Sequence, residues 1–138
     1  MLFRSIDILK ARQGRDPLKD VEKVLSPEEI IDAKKIVDNI FVDNKIFEYV
    51  TYLCEASRKH KEIKLGISPR GALAICSMAR AAAFMEEREF VTPEDVKAIF
   101  RDTARHRVIL ETRAKIGDNR EETVLSEIIR DTVEPKLY

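Results

Sequence analysis

The sequence predicts an all-α fold, a compact domain of about five to six helices with one short extended or strand segment near residues 108–110. Apolar residues recur at three- and four-residue spacing along most of the chain, which is typical of amphipathic helices. Hydrophobic residues make up 44% of the composition, with only four Gly and five Pro. Three segments, Ser26-Pro27, Ser68-Pro69 and Thr92-Pro93, pair a capping hydroxyl with proline at the first helical position.

Length, charge and hydropathy limit the class of protein. The 138 residues suit a single domain with a modest core, and 25 basic residues balance 25 acidic ones. No bulk charge therefore favours nucleic acid or an anionic membrane. Arg80 interrupts the longest apolar run and no signal-peptide pattern opens the chain, so we expect a cytoplasmic protein. Cys54 and Cys76 lie on apolar stripes and are expected to be buried thiols; a disulfide is the less favoured alternative.

The first 25 residues are predicted to form a leading helix, over about 4–12, and an extended connector. The apolar residues expected to anchor these two pieces are Ile6, Leu9, Leu18, Val21 and Leu25. Met1 to Arg4 fit no capping pattern, so this start can be a truncation point. Residues 26–138 are expected to form the helical domain proper, and the whole chain a single domain.

Two helices are predicted next. The first runs over about 27–40, with a core-facing stripe at Ile30, Ala33, Ile36, Val37 and Ile40. Asp43 is predicted to cap the second, with its stripe at Ile46, Tyr49, Val50, Leu53 and Cys54. This helix ends in the basic cluster at residues 58–61. Cations favour the negative end of a helix dipole, so we interpret the cluster as helix termination; a phosphate-binding patch is the alternative.

The second half of the chain contains the most apolar helix, predicted over 70–87 after a connector at 63–67. Its apolar residues occur all round, which predicts burial by several neighbours. A helix starting at Thr92 is expected to point Val96, Ile99, Phe100 and Thr103 inward. After the extended segment near 108–110 and a turn at 117–119, a last short helix carries Val124, Leu125, Ile128 and Ile129, and Pro135 prevents its continuation.

Little catalytic chemistry is visible in this sequence. His60 and His106 each lie in a basic helix end, and no Cys or His pair stands at metal-ligand spacing. The acidic pairs, such as Glu28-Glu29 and Glu121-Glu122, are typical of helix starts or solvated faces. The sequence also lacks a G-x-x-x-x-G-K-[S/T] phosphate loop. We therefore predict no catalytic residue and no metal site, and no nucleotide hydrolysis by this chain alone.

Arg70 is the residue that breaks a local rule. The helices after Ser26 and Thr92 begin with acidic pairs, as the helix dipole favours, whereas the helix after Ser68 begins with Arg70 and Gly71. A guanidinium beside the free N–H groups of a helix start can bind a phosphate, and a glycine lets a ligand or another backbone approach. An ordinary solvated arginine explains the same pattern, and the residues alone leave both interpretations open.

The order of several motifs resembles the C-terminal lid of MoxR-type AAA+ ATPases. The block Leu65–Leu73, LGISPRGAL, precedes an alanine-rich helix, then FVTPEDVK at Phe90–Lys97 and RHR at residues 105–107. Upstream, IDIL at residues 6–9, GRDPL at 14–18 and VLS at 24–26 fit the same pattern. The resemblance covers nearly the whole chain.

The resemblance implies a helical lid that follows a nucleotide-binding α/β core, where the phosphate loop and the other catalytic groups of the family reside. Arg70 matches the second sensor, which reaches the γ-phosphate of ATP, with Ser68 and Gly71 beside it; Gly71 stands where alanine is more usual. The implied cofactors are ATP and Mg in the full-length protein, an ATPase, and none for the isolated chain. The implied partners are its own N-terminal AAA+ core domain, neighbouring subunits of a ring homo-oligomer and von Willebrand A-type proteins, with chaperone-like activity and neither nucleic acid nor membrane.

Two alternatives remain at this point. One is a stand-alone helical module that binds a protein partner through its charged faces. The other is a nucleic-acid binder that uses Arg101, Arg105, Arg107, Arg113 and Arg120. The balanced charge and the lack of aromatic residues among these arginines argue against the second alternative.

Overall fold

The computed structural model describes residue 10, residues 21–112 and residues 120–136. Its elements are α1 (Pro27–Asn39), α2 (Asn44–Lys59), β1 (Ile63–Leu65), α3 (Pro69–Met85), α4 (Pro93–Ala104), a 3-10 turn (Arg105–Arg107), β2 (Ile109–Leu110) and α5 (Arg120–Asp131). The predicted helical class is confirmed. Of the helix predicted over 4–12, only residue 10 is described, and the turn predicted at 117–119 lies outside the described residues. None of the described helices is long and apolar enough to cross a membrane.

The chain divides into two compact units, Met1–Asp32 and Ala33–Tyr138. In the first unit, the predicted cap at Ser26 is present as a reciprocal pair with Glu29. The Glu29 N–H donates to Ser26 Oγ over 3.1 Å, and the Ser26 N–H donates to Glu29 Oε2 over 2.6 Å. Val21 and Leu25 are exposed, so the prediction that they anchor the connector is wrong. Two apolar residues in a short irregular segment do not specify a surface to pack on.

The core of the second unit lies between α2, α3, α4 and α5. The predicted inward stripes are confirmed on three of these helices. The fully or nearly buried residues are Ile46, Tyr49, Val50, Leu53 and Cys54 on α2, Val96, Phe100 and Thr103 on α4, and Val124, Leu125 and Ile128 on α5. The α3–α4 pair makes the most extensive contact.

A small antiparallel sheet joins two connecting segments. Ile63 pairs with Leu110 and Leu65 with Ile109, with an irregularity between the two pairs. β2 confirms the extended segment predicted near 108–110. Its partner β1 was predicted only as a connector, because a three-residue strand is too short to show an alternating pattern.

The predicted core-facing stripe of α1 is wrong. α1 contains no buried residue, and Ile36 is 56% exposed; only Ile40, just beyond the helix end, is buried. Hydrophobic periodicity shows that a helix has an apolar face, but burial also needs a partner surface.

α3 is buried along one face and not on every side as its composition predicts. Gly71, Ile75, Ala79 and Ala83, spaced every four residues, are buried. Leu73 is 71% exposed and Met85 78% exposed on the other faces. Three of these four buried residues are small, so α4 and the rest of the core pack closely against this one face of α3.

Candidate functional site

The start of α3 has the cap that the sequence predicts. Ser68 has extended backbone angles, its Oγ accepts from the Gly71 N–H over 3.3 Å, and its carbonyl accepts from the Ala72 N–H over 3.1 Å. Pro69 occupies the first helical position. The Ser26 and Thr92 caps each contain a returning carboxylate, from Glu29 and Asp95. The Ser68 cap has none, because Gly71 stands where those acids stand, and the first turn of α3 contains no acidic side chain.

Arg70 is exposed in this first turn. Neither its guanidinium nor its backbone N–H has a hydrogen-bond or ion-pair partner among the residues that the structure describes. Other arginines do have carboxylate partners: Arg88 with Asp95, Arg105 with Glu122, Arg120 with Glu62, and Arg130 with Asp131. The positive end of the α3 dipole and an unpaired guanidinium therefore coincide. This combination fits a phosphate oxygen, which can accept from both.

Packing within the protein requires a glycine at position 71. It is buried, and a Cβ on this residue would lie 2.5 Å from Ile67 Cγ2 and 3.5 Å from Arg107 Cδ. The space beside Gly71 is thus filled by Ile67, and the idea that the glycine opens room for a ligand on this side is wrong. An alanine at this position would place its methyl group against Ile67, whose side chain is fully buried.

Gly66 brings the loop before α3 onto the end of α2. A Cβ on Gly66 would lie 2.7 Å from the backbone N and Cα of Arg58, a separation that only glycine permits. The next residue, Ile67, is held at both of its backbone polar groups. Its N–H donates to Ser57 Oγ over 2.9 Å, and its carbonyl accepts from Arg58 Nε over 2.9 Å. The start of α3 is therefore fixed to α2.

Ser57 and Arg58 were not predicted as site residues. Arg58 belongs to the basic cluster that we interpreted as helix termination, and α2 does end at Lys59 with His60 as its C-cap. The sequence contained one signal of the contact. Ser57 continues the buried stripe of α2, and a polar residue on a buried stripe needs a hydrogen-bond partner. Ser57 Oγ has two, since it also donates to the Cys54 carbonyl over 2.6 Å.

The two cysteines are free thiols, and Cys54 is buried as predicted. Burial raises the pKa of the Cys54 thiol to about 11 and also raises the pKa of Cys76. Both thiols are therefore protonated at neutral pH, which makes them poor nucleophiles.

Most of the arginines considered for nucleic-acid binding are bonded to groups within the protein. Arg105 and Arg120 each bind a carboxylate, and Arg107 Nε donates to the Thr103 carbonyl over 3.0 Å. Arg101 is exposed, and Arg113 lies outside the described residues. Of the two histidines, His60 caps α2 and its Nε2 lies 3.7 Å from Glu127 Oε2, whereas His106 is exposed in the 3-10 turn.

The family model described as AAA lid domain matches residues 55–128, more than half of the chain. The chain belongs to this family. Together with the MoxR relatives described next, this match makes the chain a lid of the MoxR type of AAA+ ATPases. The match includes the whole Gly66–Gly71 segment, the end of α2 that holds it, and Arg107.

Two curated relatives match most of the chain, and a third matches half of it. Uncharacterized protein YeaC of Bacillus subtilis is 31% identical over 124 residues, which is 90% of this chain and 39% of that protein. Chaperone MoxR1 of Mycobacterium tuberculosis is 27% identical over 91% of this chain and 36% of that protein. Protein MoxR of Methylorubrum extorquens is 35% identical over 69 residues. The lid thus spans about two fifths of the length of the first two relatives.

A solved structure shares the fold. The crystal structure of a candidate ATPase from Cytophaga hutchinsonii superposes with a TM-score of 0.80, covering 96% of this chain and 43% of that chain. At 21% identity this likeness shows the fold alone.

Proposed function

We propose that Arg70 is the second-sensor arginine of an AAA+ ATPase, and that it contacts the γ-phosphate of ATP bound on a core domain joined to this lid. The observation that carries the proposal is the state of Arg70 itself. It is an exposed guanidinium at a helix start, and it has no carboxylate partner among the described residues. Such a group has no ion pair with a described residue to break before it binds a phosphate, and it can donate two hydrogen bonds at once.

ATP with Mg²⁺ would be held mainly by the core domain, and it would supply the phosphoanhydride bond that is hydrolysed. In the lid, the guanidinium of Arg70 would bind and orient the terminal phosphate. The free N–H of Arg70 adds a donor at the same end of α3. Ser68 and Gly71 contribute by fixing the first turn of the helix, with Ser68 accepting from Gly71. None of these groups needs to move a proton.

The lid would also transmit the nucleotide state to the rest of the assembly. An arginine that contacts the phosphate in one state and not in another favours one orientation of the lid over the other. We propose that this movement acts in a ring homo-oligomer with chaperone-like activity, in contact with neighbouring subunits and von Willebrand A-type proteins. The relative named Chaperone MoxR1 supports this general role.

The first prediction concerns Arg70→Ala in the ATPase that carries this lid with its core. We expect ATP turnover to fall by roughly 10- to 100-fold, because a charge-assisted hydrogen bond contributes about 1.5–3 kcal/mol. Steady-state phosphate release measures the effect, and circular dichroism of the lid should be unchanged because the side chain is exposed. Arg101→Ala, which removes an exposed arginine from α4, is the matched control. Normal turnover in Arg70→Ala would contradict the sensor assignment.

One observation favours a second candidate function, a module that binds a protein partner. A groove of about 910 Å³ runs between the end of α1 and the end of α3, and Phe41, Phe84 and Met85 are among its lining residues. Exposed apolar surface of this kind is typical of protein contacts. The Arg70→Ala measurement separates the two candidates, since a module without nucleotide contact predicts no effect on turnover.

A further inference from the structure

The end of α2 holds the residue from which α3 starts. Ser57 and Arg58 are neighbours in the last turns of α2, and together they bind both backbone polar groups of Ile67, each over 2.9 Å. Ile67 is fully buried, three residues before Arg70. This arrangement fixes the two peptide units on either side of the Ile67 Cα.

The restraint continues from Ile67 to the residue after Arg70. The Ile67 side chain packs against Gly71 so closely that a methyl group there would lie 2.5 Å from Cγ2. Gly66 lies against the backbone of Arg58 on the other side. Close-packed contacts of this kind transmit displacement, because no void exists to absorb it. The contacts with the end of α2 therefore determine the orientation of the first turn of α3.

Substitution of Ser57 and substitution of Arg58 should affect the stability of the domain differently. Ser57 is buried, and its loss would leave the Ile67 N–H without an acceptor inside the core, which destabilises the fold. Arg58 is exposed, so water can replace its Nε at the Ile67 carbonyl. Substitution of Arg58 should therefore weaken the restraint on the start of α3 without unfolding the domain.

We propose that Arg58, together with Ser57, is a positioning residue for Arg70. The two side chains hold the backbone carbonyl and N–H of Ile67, and this orients the first turn of α3 toward the bound nucleotide. The proposal rests on the proposed function of Arg70. Positioning matters for such a contact because a displacement of about 1 Å can reduce a rate by about 10²-fold.

The test begins without nucleotide, in the protein that carries this lid with its core. Arg58→Met keeps the aliphatic stem beside Gly66 and removes the donor. We expect amide hydrogen exchange at Ile67 and Gly71 to accelerate at least about threefold, because one hydrogen bond that restrains the segment is lost. Arg101→Met is the matched control and should leave these two amides unchanged. Unchanged exchange in Arg58→Met would overturn the proposal.

The second measurement is a double-mutant cycle on ATP turnover. Arg58→Met should lower turnover about fivefold when Arg70 is present, and should cause no further loss when combined with Arg70→Ala. Arg58→Lys, which restores a donor, should recover part of the lost activity.

Each result of the cycle has a defined meaning. An equal loss in both backgrounds would show that Arg58 acts independently of Arg70 and would overturn positioning alone. Normal turnover in Arg58→Met with impaired Arg70→Ala would do the same. Normal turnover in Arg70→Ala would overturn the sensor function and, with it, the positioning role.

Discussion

At the residue scale, Arg70 differs from its neighbours in the Gly66–Gly71 segment. The two glycines are required by close contacts, with Arg58 and with Ile67. Ile67 is buried and bonded at both backbone groups, and Ser68 caps the helix. Each of these residues has a task inside the described structure, whereas the Arg70 guanidinium has no partner there. The backbone around Arg70 is fixed by its neighbours, while its guanidinium has no partner among the described residues. The guanidinium is therefore a candidate for contact with a group outside this chain.

The residue-scale prediction concerns Gly71→Ala. In an ordinary helix this change stabilises by about 0.4–1 kcal/mol. Here we expect destabilisation by roughly 1–3 kcal/mol, because the added methyl group would overlap Ile67 Cγ2 in a fully packed site. Urea unfolding of the 138-residue chain measures the change.

The matched variant for this prediction is Gly71→Ala combined with Ile67→Ala. Removal of the Ile67 side chain takes away the overlap, so Gly71→Ala should no longer destabilise in that background. A gain in stability from Gly71→Ala in the native background would contradict the contact described here.

At the element scale, the turn between α3 and α4 is fixed by one carboxylate with two tasks. Asp95 accepts from the Thr92 N–H over 2.8 Å as part of the α4 capping box, and from Arg88 Nη1 over 2.7 Å. Arg88 lies three residues after the end of α3 at Met85, and the residue before it, Glu87, has a φ of 55°, a left-handed conformation. The end of one helix and the start of the next are therefore joined through a single ion pair.

The element-scale prediction concerns the pH dependence of stability. Burial raises the pKa of Asp95, but the hydrogen bonds from Arg88 and Thr92 outweigh it and hold the pKa below the ordinary value of 3.8. A depressed carboxyl pKa stabilises the fold above the unfolded-state value, and this contribution is lost as the pH falls through the folded-state value. We expect Asp95→Asn to be less stable by roughly 2 kcal/mol at pH 7, and the difference to shrink below about pH 5.

Thermal or urea unfolding between pH 7 and pH 2 tests this expectation. Asp102→Asn, at an exposed aspartate of the same helix, is the control and should follow the native curve. A constant difference between Asp95→Asn and the native chain across this range would show that the carboxylate charge has no role in the turn.

At the scale of the whole molecule, the proposed sensor role gives the lid only part of an ATP site. It spans about two fifths of the length of its first two curated relatives, and its sequence has no phosphate loop. Within the described residues, the candidate site offers one unpaired guanidinium and the first turn of a helix. The groove near Phe41 and Met85 lies at the opposite end of α3 from Arg70.

The whole-molecule prediction concerns ATP and the isolated chain. We expect binding weaker than about 1 mM, because micromolar affinity needs about 8 kcal/mol and a single charge-assisted contact contributes about 1.5–3 kcal/mol. Titration calorimetry of the 138-residue chain with ATP measures it, after circular dichroism has shown that the chain is helical. The chain joined to a nucleotide-binding core is the positive control. A micromolar dissociation constant for the isolated chain would contradict the partial-site interpretation.

The sequence predicted those features that depend on neighbouring residues. The caps at Ser26, Ser68 and Thr92 are present because a hydroxyl three residues before a free N–H bonds to it locally. The stripe of α2 is buried because period and polarity agree over four turns. The unusual position of Arg70 was also visible, since it concerns only the dipole of its own helix.

Only the tertiary structure decided which apolar faces are covered and why residues 66–71 have their order. Ile30 and Ile36 on the predicted stripe of α1 are exposed, and so are Leu73 and Met85 on α3, because burial depends on a partner that periodicity does not identify. The contacts of Gly66 with Arg58 and of Ile67 with Ser57 join residues 8 to 10 apart in sequence, across two elements. No local pattern encodes such a distance. The sequence by itself determined that the first turn of α3 carries a positive charge and no acidic side chain. The packing of α2 against the loop before α3 determined where that charge is held.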